Sequence, residues 1–279
     1  IRRTSMKIME GKKGIIFGIS NKRGIAYGIA KSLHDHGATL GFTYANDLMK
    51  PRVQKIATEM DIPFVEPCDV TNESEIESVF SKFGEEHGSI DFVIHAVAFA
   101  NKEDLMGNFY ETSLEGWNLA LNVSAYSLVS VTRSAVKWMP NGGSIITLTY
   151  LGGERYVPNY NVMGVAKAAL DSSVKYLAAE LGEKNIRVNG ISAGPIKTLA
   201  GKGISGFDTL LKINAKRAPM KRNVTLEEIG NSGLYLCSDL SSGVTGEIHH
   251  VDCGYHSIAT SREDAALVGV DPVTQKRIS

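Results

Sequence analysis

Phe17-Gly-Ile-Ser-Asn-Lys-Arg-Gly-Ile-Ala-Tyr-Gly28 is the stretch on which the fold turns. Before it, Lys13–Phe17 is a short apolar run that ends at Gly18. After it, Ile25, Ala26, Ile29, Ala30 and Leu33 recur along one helical stripe, which stops at Gly37. Strand, glycine-bearing turn and amphipathic helix, in that order, make a dinucleotide-binding loop. Gly18 permits a tight turn, Gly24 lets a pyrophosphate approach the backbone, and Gly28 lets the helix pack close to the sheet. The start of the helix, at Ile25, offers free N–H groups and a partial positive charge to phosphate. The spacing is wider than G-x-G-x-x-G, so the glycines alone also fit a role in turns and packing only.

Working outward, strand candidates recur at Ala38–Thr43, Pro63–Glu66, Asp91–His95, Ser144–Leu148, Arg187–Ile191 and Glu247–Val251. Helix candidates separate them: Arg52–Met60, a segment after Asn72, Ser113–Trp138, the long Asn161–Leu181, and a segment after Thr225. Asn72-x-x-Glu75 and Thr225-x-x-Glu228 read as capping boxes. Short apolar strands alternating with helices predict a parallel sheet covered on both faces. The expected architecture is therefore α/β: one Rossmann-like, doubly wound, seven-stranded parallel sheet. With no linker or composition shift inside it, residues 7–260 read as one domain. Residues 1–6 read as an N-terminal arm and the polar residues 261–279 as a C-terminal tail.

The chain has 279 residues, 43% of them hydrophobic, which is ample for a core. Thirty basic residues balance thirty acidic ones. That balance argues against a nucleic-acid partner, which needs excess positive charge. The longest nearly apolar run, Phe92–Ala100, is about half of the roughly 20 residues a spanning helix needs, so no membrane insertion is expected. Cys68, Cys237 and Cys253 are far apart and form no metal-ligand spacing. They read as reduced thiols of a cytoplasmic protein, with no metal site. His34 and His36 flank a helix end, where a dipole role is the simple reading.

Cofactor choice is not settled by the rule that reads the end of the second strand. Asp47 stands late after Tyr44-Ala-Asn46, and Arg52 later still. Asp69, with Val70 after the third strand, suits either an adenine amino group or the turn before Asn72. Tyr160 and Lys167 lie two turns apart on one helix face, and Tyr150 just past the fifth strand, near the edge where open parallel sheets bind ligands. An ammonium beside a phenol lowers the phenol pKa from about 10. A phenol so placed can donate to a carbonyl oxygen as charge develops there. From spacing alone, a helix cap and a solvated lysine explain the pair as well. Thr147 lies thirteen residues before Tyr160, but the strand is expected to point it elsewhere.

The stretch Thr149-Tyr-Leu-Gly-Gly-Glu-Arg-Tyr-Val-Pro-Asn-Tyr-Asn-Val-Met-Gly-Val-Ala-Lys167 resembles the active-site segment of the bacterial enoyl-[acyl-carrier-protein] reductases. These are a divergent branch of the short-chain dehydrogenases in which Tyr-x3-Lys is widened to Tyr-x6-Lys. Arg187–Ala200, Gly230-Asn-Ser, Cys237-Ser-Asp-Leu-Ser and Gly246-Glu-Ile-His-His-Val-Asp are similar as well. The resemblance spans about Lys7 to Thr260. It implies reduction of a trans-2-enoyl thioester on acyl carrier protein, with NADH as cofactor and NADPH disfavoured, by a homotetramer. It implies that Tyr160 hydrogen-bonds the thioester oxygen, that Lys167 binds the nicotinamide ribose, and that Tyr150 is the second active-site tyrosine. Ile196 and Thr198 would hold the nicotinamide end, and the backbone of Ala96, Val97 and Ala98 would make further cofactor contacts.

The resemblance also makes Leu199–Phe207 a substrate loop, with Gly201, Gly203 and Gly206 suited to a mobile lid. Met163 and Phe207 fit the lining of an acyl-chain site or plain core packing. Lys202, Lys212, Lys216 and Arg217 are candidates for receiving an acidic carrier protein. The chain departs from the family pattern at four places. Gly24 replaces Ser, Ala45 replaces Gln, His95-Ala-Val-Ala98 replaces His-Ser-Ile-Gly, and Cys253 replaces Gly. None of these touches the Tyr160–Lys167 pair.

Overall fold

In the computed structural model, the described residues are 7–197 and 207–261, with 264, 267, 269–271, 274, 276 and 277 of the tail. The strands are β1 (Lys13–Phe17), β2 (Thr39–Tyr44), β3 (Phe64–Pro67), β4 (Phe92–His95), β5 (Gly143–Thr149), β6 (Ile186–Ala193) and β7 (Ile248–Val251). They form one sheet in the order β3-β2-β1-β4-β5-β6-β7, every neighbouring pair parallel. Each strand matches its sequence expectation to within two residues at either end. The helices are α1 (Ile25–Asp35), α2 (Lys50–Glu59), α3 (Glu73–His87), α4 (Leu114–Leu121), α5 (Ser127–Val136), α6 (Asn161–Leu181), α7 (Phe207–Arg217) and α8 (Leu226–Cys237). The expected helix over Asn161–Leu181 has those bounds. Helix α7 is not foreseen by the sequence reading, and Phe207 opens it rather than closing a loop.

Successive residues of a strand point to opposite faces. Ile16 therefore joins the core under α1, α2 and α8, while Ile15 and Phe17 join the core under α3, α5 and α6. Both faces are buried, which is why the strands read as apolar runs rather than as alternation. The chain order reverses between β1 and β4, so the crevice for a ligand opens at their carboxyl ends.

Two local expectations need correction. Gly28 serves helix–helix rather than helix–sheet packing: a Cβ there would come within 2.7 Å of Leu226 Cγ on α8. Asn72 does cap α3, accepting from Ser74 N at 3.1 Å, but Glu75 does not complete the box. Its carboxylate reaches past the Asn72 N–H to Asp69 N at 2.8 Å. Ser113–Trp138 is mainly helical, as expected, with a π-turn at Asn122–Tyr126 between α4 and α5. At α8, Thr225 and Glu228 form the full capping box.

Candidate active site

The loop after β1 is built to sit close to a ligand. Gly18 has φ +89°, and a Cβ on it would meet the Ala96 carbonyl oxygen at 2.1 Å. Register explains the closeness: Phe17 pairs with His95, so the two chains leave β1 and β4 side by side. Only glycine satisfies both the left-handed backbone and that approach. The loop then closes on itself, with Gly24 N donating to Asn21 O at 3.1 Å and Arg23 N to Asn21 Oδ1 at 2.9 Å. Gly24 is the extended N-cap of α1. No side chain caps that helix and no acidic residue stands in its first turn. Its positive end is therefore open to an anion.

The loop shares a cavity of about 260 Å³ with the carboxyl ends of β4, β5 and β6. Tyr160 is the N-cap of α6, held between Asn159 at φ 62° and Asn161 at φ 37°. Asparagine tolerates this left-handed backbone, and the tight turn aims the phenol inward. The rings of Tyr150 and Tyr160 meet edge-on, centroids 5.1 Å apart. Two turns along α6, Lys167 is 5% exposed, and its Nζ donates to the Leu148 carbonyl at 2.7 Å.

Burial governs the titration of these groups. It pushes the Tyr160 phenol well above its ordinary value, with Tyr150 and Asp171 adding to the rise. It lifts Tyr150 to about 12 and lowers Lys167 to about 8, against an opposing pull from Asp171. The expected lysine-lowered phenol is thus corrected. The ammonium is tied to Leu148 O, and Tyr160 remains a neutral hydroxyl donor. A neutral donor suits an oxygen that gains negative charge during reaction.

Behind the site, His95 is fully buried between Thr147 Oγ1 and Ser127 Oγ, each at 2.8 Å. Ser127 gives its own proton to Val123 O at 2.6 Å, so this network assigns the ring proton to Nε2. Burial holds the His95 pKa down at about 3, so the imidazole is neutral. Thr147 is thereby turned away from the cavity, which is lined by its neighbours Leu148 and Thr149.

Of the residues expected in the site, Gly18, Gly24, Ile25, Ala96, Val97, Ala98, Tyr150, Tyr160, Lys167, Ile196 and Phe207 line the one cavity. Met163 does not; it is 7% exposed in an apolar cluster with Tyr160 and Ala166. Asp69 and Val70 also stand off the cavity wall. Asp69 Oδ1 accepts from Thr71 N at 2.9 Å and from the Thr71 hydroxyl at 2.8 Å, a turn cap that leaves the side chain exposed. Thr198, Lys202 and the rest of the expected lid before Phe207 lie outside the described residues. Arg217 is committed to Asp264 at 2.6 Å.

Ser20, Asn21, Ala26, Leu148, Thr149, Leu210 and the stretch Ala193-Gly-Pro195 also line the cavity, and sequence reasoning misses them. Their positions at strand ends are the available signal for most of them. Thr149, at the cavity wall, has a buried hydroxyl whose polar neighbour is the Asp171 carboxylate. An open helix end and a buried cation along one cleft fit the phosphates and ribose hydroxyls of a nicotinamide dinucleotide. Among the described residues, no cluster of His, Cys, Asp or Glu has the geometry to hold a metal.

Fold and site together define a class: a dinucleotide-binding α/β protein with a buried tyrosine–lysine pair at the carboxyl edge of its sheet. The family described as enoyl-(acyl carrier protein) reductase matches residues 18–256. The chain is 53% identical over 255 residues to the enoyl-[acyl-carrier-protein] reductase [NADH] FabI of Rickettsia prowazekii, covering 91% of this chain and 98% of that protein. A structure of the Anaplasma phagocytophilum reductase in complex with NAD superposes with TM-score 0.89 at 48% identity, covering 93% of this chain and 98% of that one. The Bacillus cereus reductase, solved with NADP+ and an indole naphthyridinone, gives TM-score 0.90 at 51% identity over 91% of this chain and all of that one. The chain belongs to the enoyl-[acyl-carrier-protein] reductase family.

Proposed function

We propose that this chain reduces the trans-2 double bond of enoyl thioesters carried on acyl carrier protein, with NADH, in the last reductive step of each elongation cycle. One observation carries the reading: Tyr160 and Lys167 open into the same cavity as the Gly18–Gly24 loop. When bound, the dinucleotide would supply the hydride to the β-carbon, and a proton from solvent at the α-carbon would complete the reduction. The chain's own residues do the rest. The α1 N-terminus receives the pyrophosphate, which the absence of a side chain at Gly24 lets approach, and Lys167 holds ribose hydroxyls. The backbones of Ala96–Ala98 and Ile196, with Thr198, hold the cofactor, and Asp69 and Val70 serve its adenine end.

Tyr160 donates its hydroxyl to the thioester oxygen as enolate charge develops, and Tyr150 supports it edge-on. A neutral phenol keeps its proton for that bond, and the apolar wall of Leu148, Phe207 and Leu210 keeps water from weakening it. NADH is the expected cofactor, since the 53% identical Rickettsia prowazekii relative is an NADH reductase by name.

Residues 7–260 act as the reductase domain in a cytoplasmic homotetramer. No described helix is long and apolar enough to cross a membrane. Sedimentation at micromolar concentration tests the assembly, and a monomer contradicts it. NADH oxidation with a trans-2-enoyl thioester, beside NADPH and a 3-ketoacyl thioester, tests the activity. Turnover with the ketoacyl substrate alone overturns the reading.

A further inference from the structure

The catalytic reading leaves one buried ionisable group unused. Asp171 is 8% exposed and lies one turn beyond Lys167 on α6, the spacing at which side chains of a helix face one another. We propose that Asp171 is a positioning residue: its buried carboxylate keeps Lys167 protonated and aimed into the cavity. The inference rests on the reading of Lys167 as the ribose-binding cation.

Charge balance asks for such a partner. An isolated ammonium is expensive to bury unless it is paired. Lys167 is 5% exposed, and its hydrogen bond goes to a neutral carbonyl, Leu148 O at 2.7 Å. Asp171 is the acidic group whose field favours the charged lysine. The fold also builds a seat for the carboxylate. A Cβ on Gly153 would come within 2.9 Å of Asp171 Oδ2, so a glycine in the turn after β5 makes room for it.

The charged and polar groups facing Asp171 are few. From its own helix come Lys167 and Lys175; from the end of β5 and the turn beyond come the Thr149 hydroxyl and Glu154. Glu154 is itself engaged by His250 Nε2 at 2.7 Å. Thr149 stabilises the carboxylate, yet Asp171 Oδ1 makes no hydrogen bond of normal geometry. The Thr149 hydroxyl carries no charge, and Lys167, ahead of Lys175, is the cation whose field favours the ionised carboxylate. Burial raises the Asp171 carboxyl to about 6, so it is ionised at neutral pH and above, where the lysine needs it.

The test is the pH dependence of NADH affinity, read by cofactor fluorescence between pH 6 and 10. In the parent, affinity falls as pH rises through about 8, where Lys167 gives up its proton. Asp171→Asn moves that fall down by about one pH unit, which weakens binding about five-fold at pH 8 and little at pH 6. Asp171→Glu restores the parent profile. In a Lys167→Met background, Asp171→Asn has no further effect. A loss that is equal at every pH, or undiminished in the Lys167→Met background, makes Asp171 structural only and overturns the proposal. Should Asp171→Asn fail to fold, the proposal requires Lys167→Met to restore folding, because no buried cation then needs balancing; failure of that rescue also overturns it. The readout is binding, so absent enoyl turnover with the profile intact would sink the proposed function and leave this inference standing.

Discussion

Gly28→Ala tests the contact that holds the dinucleotide loop in place. A methyl at this position would come within 2.7 Å of Leu226 Cγ and 2.8 Å of Leu226 O on α8. The contact is reciprocal, since a Cβ on Gly230 would lie 2.5 Å from Gly28 O. Two helix backbones touch here, and a backbone oxygen cannot rotate away as a side chain can. Overpacking costs about 1–3 kcal/mol, and a clash with backbone belongs to the upper part of that range, about 2–3 kcal/mol. Alanine returns about 1 kcal/mol through helix propensity. The net loss is about 1–2 kcal/mol, roughly 2–8 °C in Tm for a chain of this size. Because α1 opens at Gly24, the displaced helix should also bind NADH more weakly. Gly182→Ala is the control: it is helical at φ −56° with nothing within 4 Å of its added methyl. It should stabilise by about 0.4–1 kcal/mol. Thermal unfolding with parallel NADH titrations reads both. An unchanged or raised Tm in Gly28→Ala would show that propensity outweighs contact and that the α1–α8 crossing yields freely.

Two further outcomes are expected from other parts of the molecule. His95 is neutral in the fold, with its pKa at about 3 against 6.5 for the free side chain. Between those values the unfolded chain binds a proton that the folded chain refuses. His95's share of the stability is therefore complete above pH 6.5 and declines as pH falls, by up to about 1.4 kcal/mol per unit. Denaturant unfolding from pH 7 to 5 should show that slope reduced by one proton in His95→Asn, and an identical slope would contradict it. On α7, whose Phe207 and Leu210 line the cavity, Lys212→Glu with Lys216→Glu should raise KM for a carrier-bound enoyl substrate several-fold and spare a short free thioester. Equal effects on both substrates would remove carrier docking as the cause.

The sheet is legible in the sequence because both of its faces are buried, so each strand announces itself as an apolar run between turn residues. The helix Asn161–Leu181 is legible for a similar reason: its buried positions, from Val162 to Leu181, keep helical spacing throughout. Helix α7 is less so: Phe207, Leu210, Leu211 and Ala215 keep helical spacing, but the stripe is short and half-exposed, with Asn214 the one buried residue. The π-turn at Asn122–Tyr126 is a slip of hydrogen bonding that carries no composition of its own. In the site, Tyr160, Lys167 and the glycine loop are readable from spacing and resemblance. Thr149 and the Ala193-Gly-Pro195 stretch need the strand ends to be brought together. Sequence misjudges the titration of Tyr160 because it shows which charge is near a phenol in the chain, but not how much water the fold removes from it. Asp171 carries a signal, its four-residue step from Lys167, that gains meaning only once both are seen to be buried.

If Tyr160 and Lys167 turn a dinucleotide cleft into an enoyl reductase, turnover must depend on both. The most direct measurement is NADH oxidation with a trans-2-enoyl thioester in the parent, Tyr160→Phe and Lys167→Ala, with a 3-ketoacyl thioester alongside. Enoyl-dependent oxidation is expected in the parent, with a kcat about 10²–10³-fold lower in Tyr160→Phe through loss of a donor to the developing oxyanion, and collapse with lost NADH affinity in Lys167→Ala. Undiminished turnover in both variants, or oxidation driven only by the ketoacyl thioester, would contradict it.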